Sequence, residues 1–307
     1  MNKNRPKDRF NSGGVVMHAA SSVPIGSVAI PAHNEAAVIG RCLDALLDGL
    51  EPGELEVVLV CNGCTDDTAD IVRSKWPSVR VIEITEASKP AALRMADEIL
   101  VTFPRIYLDA DVSLPGTSAR RLIEALRSGS SIAARPRSIW DDSRSDAFVR
   151  SYYRGLTRVQ SGRSSLWGGV YGLSEKGRSR FSVFPDLIAD DLFVDQQFSP
   201  SEIDMVDVDK PAVITVQRGI GDLLRVVRRR RKGNVDLNSF PGDSETTTSS
   251  TVTTLLSAAR SGPAAAIDAL FFFAFAVVVR ISVAVSPPAG WSRDDSSRSE
   301  MLNPADH

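Results

Sequence analysis

Three times in the first third of the chain a short apolar run yields to a polar turn and then to a segment with apolar residues three or four positions apart. Ser27 to Ile30 reads as a buried strand stopped by Pro31. Val38, Ile39, Cys42, Leu43 and Leu46 then mark one face of a helix that Asn34 is placed to cap. Leu55 to Val60 is the second strand. The turn Asn62-Gly63 follows, then Thr65 or Asp66 as cap and a helix carrying Ala69, Val72 and Trp76. Val79 to Ile84 is the third strand; Ser88 and Pro90 suit a helix start, and Ala92, Leu93, Ala96, Ile99 and Leu100 supply its inner face. A fourth run, Arg105 to Leu108, ends at Asp109. This alternation predicts a mostly parallel sheet covered by helices, with ligands beyond the carboxyl ends of the strands.

The second half patterns less regularly. Thr117 to Leu126 predicts an amphipathic helix and Ser131 to Arg135 a short strand. Phe148, Tyr152, Leu156 and Val159 fall at helical spacing and read as core packing rather than sugar stacking. Trp167 to Ser174 is a glycine-interrupted strand, a sign of close approach by a ligand or another backbone. Short strands are expected at Met205 to Val208 and Ala212 to Val216, then a helix from about Ile220 with Leu223, Leu224 and Val227 on one face.

Composition narrows the class. A chain of 307 residues, 43% hydrophobic and 24% charged, is an ordinary globular protein. Its net charge of -2 gives no electrostatic reason to expect nucleic acid, although Arg228 to Lys232 is locally basic. Three cysteines make no disulfide framework and point to a reducing cytoplasm, with Cys42 in the core. Residues 1–24 read as a flexible leader, 25–235 as one α/β domain, 236–262 as a Ser/Thr-rich linker, 263–286 as an apolar helix and 287–307 as a polar tail. The stretch Ala264 to Val285 is long enough to cross a bilayer. Asp268 and Arg280 interrupt it near its ends, each placed to reach an interface, so an interfacial or protein-buried helix fits as well. Membrane contact is the expectation.

Polar segments cluster at the predicted strand ends: Pro31-Ala32-His33-Asn34-Glu35, Cys61-Asn62-Gly63-Cys64-Thr65-Asp66-Asp67, Ser88-Lys89 and Asp109-Ala110-Asp111. On an extended strand Asp109 and Asp111 share a face and could reach one hard cation through oxygen ligands; a turn or helix cap is the alternative. The ordered set Pro-x-x-Asn-Glu, Asn-Gly-x-Thr-Asp and Asp-x-Asp resembles the nucleotide-sugar-binding half of a family 2 glycosyltransferase, over about residues 27 to 233.

The resemblance implies a GT-A type, Rossmann-like, mostly parallel α/β sheet flanked by helices, with the apolar helix added at the C-terminus. It implies that Pro31, Ala32 and Glu35 line a nucleoside pocket, with Asn62 in the second turn and Lys89 near the nucleotide. Asp109 would face ribose and metal, and Asp111 would ligate Mg2+ or Mn2+ bridging the diphosphate, whose charge grows as the glycosidic bond breaks. Asp190-Asp191 resembles the family's Glu-Asp pair, which makes Asp191 the general base; acids complementing a helix dipole are the alternative. Trp167 is an acceptor platform or a packed core residue.

Two departures matter. The Gln-x-x-Arg-Trp signature of processive synthases is missing, since Val226, Arg229 and Arg230 stand there. Transfer of a single sugar is expected, with Arg229 on the diphosphate; a solvated run or a headgroup contact are the other readings. Cys61 replaces an acid common in the family, which leaves the nucleotide open, and Cys61-x-x-Cys64 also has the placement of a redox pair. The expected function is inverting transfer from a nucleoside-diphosphate sugar to a hydroxyl of a glycan, lipid or small molecule. A membrane-anchored, non-catalytic binding or scaffold protein of this fold and a nucleotidyltransferase are the alternatives.

Overall fold

A computed structural model describes residues 23–160, 166, 168–187, 189–237 and 262–285. The predicted alternation is present: β1 (Gly26–Ala32), α1 (Ile39–Leu47), β2 (Leu55–Asn62), α2 (Thr68–Lys75), β3 (Arg80–Ile84), α3 (Lys89–Ile99) and β4 (Arg105–Leu108). β1 pairs in parallel with β2 and β4, and β2 with β3, so four carboxyl ends share one edge. The register sets Ala32 opposite Cys61 and Asn62 opposite Ile84, which levels those ends.

Beyond β4 come β5 (Val112–Ser113), α4 (Gly116–Arg127), β6 (Ala133–Pro136), β7 (Ser138–Asp141), α5 (Ala147–Gln160), β8 (Val170–Leu173), α6 (Glu175–Arg178), α7 (Asp190–Asp195), β9 (Ile203–Val206), β10 (Ala212–Thr215), α8 (Ile220–Leu237) and α9 (Pro263–Val285). The main sheet runs β3-β2-β1-β4-β8-β6-β9, and β8 is antiparallel to both neighbours. A second sheet runs β5-β10-β7; its β10 matches the strand expected at Ala212 to Val216, whereas β5 and β7, two and four residues long, carry too little alternation to announce themselves.

Apolar layers cover both sheet faces. Ile39, Leu43 and Leu46 of α1 and Leu122 and Ile123 of α4 bury against one, and Ala92, Leu93 and Ala96 of α3 against the other. A charged knot lies under the second layer: the buried Arg105 donates to Asp97 and to the Ser27 hydroxyl, while Tyr107 and Arg178 also donate to Asp97. A third cluster joins α5, α8 and α9 through Val149, Tyr152, Leu156, Leu223, Phe275 and Val279. Tyr152 and Leu156 are therefore core, as their spacing predicted, whereas Phe148 is 55% exposed and rests on Phe271.

The apolar C-terminal segment is helical but does not carry both its charges to an interface. Asp268 is buried on α5, where Arg154 donates to both carboxylate oxygens and Arg158 and Ser151 add one bond each. That set holds the Asp268 carboxyl below the ordinary carboxylate range. Of the readings open for this segment, Asp268 follows the protein-buried one rather than the interface: a carboxylate inside an apolar helix finds its charge partner within the protein.

Candidate active site

The β1 and β2 turns are built by cross-strand bonds between side chains and backbone. Asn34 does not cap α1. It sits at φ 53 and its Oδ1 accepts the N–H groups of Thr65 and Asp66, tying the first turn to the second. Asp66 returns the bond, accepting from Ala36 and Thr68. Asn62 is buried with its amide on the Ala32 carbonyl, and the Glu35 backbone N–H donates to Thr68. Pro31, Ala32, Glu35 and Asn62 are all buried, so they shape the turns from beneath. Gly63 has φ +58, and a Cβ there would lie 2.8 Å from that of Ala87, so the β2 and β3 turns touch.

A cavity of about 350 Å³ opens between these turns, lined by Cys61, Gly63, Cys64, Thr65, Glu83, Ile84 and Thr85. The two thiols share a hydrogen bond. It pushes Cys61 up and, with burial opposing it and the Asn34 N–H adding to it, brings Cys64 down to about 7.

Strand β4 stops at Leu108, and Asp109 to Asp111 form a turn in which the Val112 N–H returns to the Asp109 carbonyl. The extended geometry expected for the acid pair is thereby corrected: the chain reverses into β5 before a second extended residue can follow. Both acids nonetheless act on the buried Cys42 thiol, whose pKa is raised by burial first and then by Asp111 and Asp109. Arg41 holds the Asp111 carbonyl at 3.2 Å. Gly169, at φ +79, makes room for Asp109: a Cβ there would lie 3.1 Å from Asp109 Oδ2 and 2.9 Å from Val112 Cγ2. The close approach that a glycine-interrupted strand signalled is thus to this acid.

Lys89 opens α3, after Ser88 whose hydroxyl accepts the Ala91 N–H. A cation there opposes the helix dipole, so carboxylates must hold it. Its Nζ lies 2.7 Å from Asp109 Oδ1 and 3.1 Å from Asp190 Oδ1. Burial pulls the Lys89 ammonium down, but Asp109, Asp190 and Asp191 outweigh it and hold the group above the ordinary lysine range. Asp190, the first residue of α7, is pushed up to about 7 by burial, with Lys89 opposing and Asp191 and Asp109 adding. The buried Tyr171 hydroxyl, which has no hydrogen-bond partner among the described residues, feels the charges of Asp190, Asp191 and Asp109.

Asp191 stands beside Asp190 with its side chain partly exposed. Arg230, on α8, lies within electrostatic reach of Asp191 and Asp111. The basic run thus shares the field of the cleft acids through Arg230. Trp167 lies outside the described residues. Among the described residues no group of three or more His, Cys, Asp or Glu side chains is arranged to hold a metal ion. The oxygen donors of Asp109 and Asp111 still suit a hard cation that takes its remaining ligands from a diphosphate and water.

Residues 27–171 match the family model described as Glycosyl transferase family 2. No curated protein matches the chain. Among solved structures it is similar to the mannosyltransferase PcManGT from Pyrobaculum calidifontis, in complex with GDP-Man and Mn2+, at 19% identity and TM-score 0.54 over 89% of this chain and 77% of that one. It is also similar to glucosyl-3-phosphoglycerate synthase from Mycobacterium tuberculosis, in complex with Mn2+, UDP-Glc and phosphoglyceric acid, at 18% identity and TM-score 0.52 over 71% and 80%. S. aureus TarS 1-349 follows at 13% identity and TM-score 0.52 over 86% and 75%. The fold is GT-A, as the order of strand-end motifs implied.

Proposed function

We propose that this chain, a family 2 glycosyltransferase over residues 27–171, moves one sugar from a nucleoside-diphosphate sugar to an acceptor hydroxyl with inversion at the anomeric carbon. The observation that carries this is the meeting of Asp109, Lys89 and Asp190 beyond the carboxyl ends of the sheet, with Asp191 alongside. The nucleoside enters at the cavity between the β2 and β3 turns, where the weakly hydrogen-bonding Cys61 thiol stands in place of the family's carboxylate. Asp109 and Asp111 would hold Mg2+ or Mn2+, which would supply positive charge against the diphosphate leaving group. Lys89 and Arg230 add fixed positive charge at the same place.

Asp191 accepts the proton of the acceptor hydroxyl as that oxygen bonds to the anomeric carbon and the bond to the diphosphate oxygen breaks. Asp190 keeps Lys89 in position and leaves the base role to its exposed neighbour. The absent Gln-x-x-Arg-Trp signature supports a single transfer. The catalytic module works in the cytoplasm, with α9 at the inner face of the membrane.

Turnover tests the reading. Release of nucleoside diphosphate from a panel of UDP- and GDP-sugars is measured with and without Mn2+. Asp191→Asn should retain Mn2+-dependent donor binding, seen as thermal stabilisation, while transfer falls by about 10²-fold or more. Wild-type transfer by Asp191→Asn would remove it as the base, and a chain that binds no sugar nucleotide would end the enzyme reading.

A further inference from the structure

Helix α9 is the one described helix long and apolar enough to cross a membrane. Its faces divide sharply. Ala265, Asp268, Ala269, Phe275 and Val279 are buried on the module and fall on one side of the helix at about 100° per residue. The opposite face presents Ile267, Leu270, Val277, Val278, Ile281 and Val285, all exposed. Such a stripe on a soluble helix would ordinarily be polar.

The buried face cannot be given up to lipid. Asp268 is clamped by Arg154, Arg158 and Ser151. Tyr152 packs on Phe272 and Phe275 with ring centroids 5.2 and 5.3 Å apart. Gly155 lets the helices touch: a Cβ there would lie 2.7 Å from that of Phe272. A helix crossing a bilayer would take this ion cluster and the attached module into hydrocarbon, at a cost in charge burial that the apolar stripe does not offset.

Charge marks what the stripe meets. Arg280 is exposed on α9, which packs with α8 through Leu223, Leu224, Val227, Phe275 and Val279; on α8, burial first and then the charge of Arg280 lower the Arg231 pKa. Two cations brought together beside an apolar stripe complement an anionic surface with an apolar interior. Arg231 is preceded on α8 by Arg230, which lies within electrostatic reach of Asp191 and Asp111, so one helix borders both the charged flank of α9 and the cleft.

We propose that α9 lies in the plane of an anionic bilayer, immersing the Ile267 to Val285 stripe with Arg231 and Arg280 at the headgroups, and that the acceptor hydroxyl is presented to Asp191 from that bilayer. The acceptor half rests on the glycosyltransferase reading; the membrane half does not.

The full chain is floated with vesicles of phosphatidylcholine alone and of phosphatidylcholine with phosphatidylglycerol. Binding should require the anionic lipid. Leu270→Glu and Ile281→Glu, both on the exposed stripe, should each weaken it about tenfold or more, and Arg231→Gln with Arg280→Gln should remove the preference for the anionic vesicle. Equal binding by these variants overturns the surface. So does a concentration-dependent dimer of the wild type that Leu270→Glu dissolves, because a second copy then covers the stripe. Protease cleavage of the residues after α9 only from the far side of sealed vesicles overturns the in-plane position. For the acceptor, labelled sugar from the donor is followed in isolated membranes of the producing cells. Label extractable into organic solvent, and reduced in Leu270→Glu in step with binding, is expected; label in water-soluble product alone overturns a bilayer-borne acceptor. Mn2+-dependent donor binding by the same preparations separates the two failures: its loss in the wild type rejects the enzyme, and its retention leaves only the membrane proposal at issue.

Discussion

Replacing Lys89 by Met keeps the length of the side chain and removes the cation between Asp109 and Asp190. Breaking a buried ion pair by deleting one partner costs about 3–5 kcal/mol, but the two arms here are unequal. Asp109 is 34% exposed, so water takes over much of its charge and that arm is worth about 1 kcal/mol or less. Asp190 is 4% exposed, so its arm carries most of the loss, about 2 kcal/mol. A total near 3 kcal/mol lowers the melting temperature by about 6–12 °C in a domain of this size. The loss depends on pH. Asp190 is already pushed up to about 7 by burial, with Lys89 opposing; without the ammonium it rises further. A carboxyl whose folded pKa exceeds its unfolded one contributes stability that is present below the unfolded pKa, near ~4, and lost as pH rises through the folded value. The gap between Lys89→Met and wild type is therefore smallest in acid, where Asp190 is protonated in both proteins, and widens as pH rises through about 7. Urea titrations followed by circular dichroism measure it, together with Lys89→Met/Asp190→Asn. The double variant should fall short of the sum of the singles by about 1 kcal/mol or more. Additive losses, or a gap that widens in acid, would refute the clamp.

Three further outcomes follow from the geometry. Gly169→Ala places a methyl group 3.1 Å from Asp109 Oδ2 at φ +79; it should cost about 1–3 kcal/mol and abolish Mn2+-dependent stabilisation by donor, while Gly129→Ala, at φ +77 with open space around it, loses stability without affecting the donor. Alkylation of Cys64 should follow a thiolate titrating at about 7, reacting faster as pH rises through that value, and Cys61→Ala should move the midpoint upward; an unmoved profile would rule out the Cys61 hydrogen bond as cause. Asp268→Asn should release α9 to limited proteolysis and cost about 1–2 kcal/mol, since Arg154 and Arg158 are partly solvated; its effect should shrink as pH falls, because the depressed carboxyl contributes stability only above its unfolded pKa.

The parallel half was legible because each strand is a continuous apolar run and each helix carries a one-sided face, as at Ile39, Cys42, Leu43 and Leu46. The acids at strand ends were legible for the same reason: a polar cluster that interrupts such runs has no core to enter. What stayed hidden depends on contacts between distant residues. Nothing local to Lys89 reveals Asp190, a hundred and one positions on. Asn34 read as a helix cap because its partners Thr65 and Asp66 lie in the next turn. The charged knot around Asp97 draws on Arg105, Tyr107 and Arg178, each unremarkable alone.

The basic run gives α8 a tolerance in helical phase. Each residue turns the helix by about 100°, yet deleting one residue between Leu223 and Arg228 brings Arg231 to the place of Arg230 and Lys232 to that of Arg231, so a cation stands at both places. The apolar face is less forgiving: Leu223 and Val226 are buried, and a slip between them turns one of the two out of the core. Single insertions and deletions in α8 should therefore act through its packing rather than through its charge.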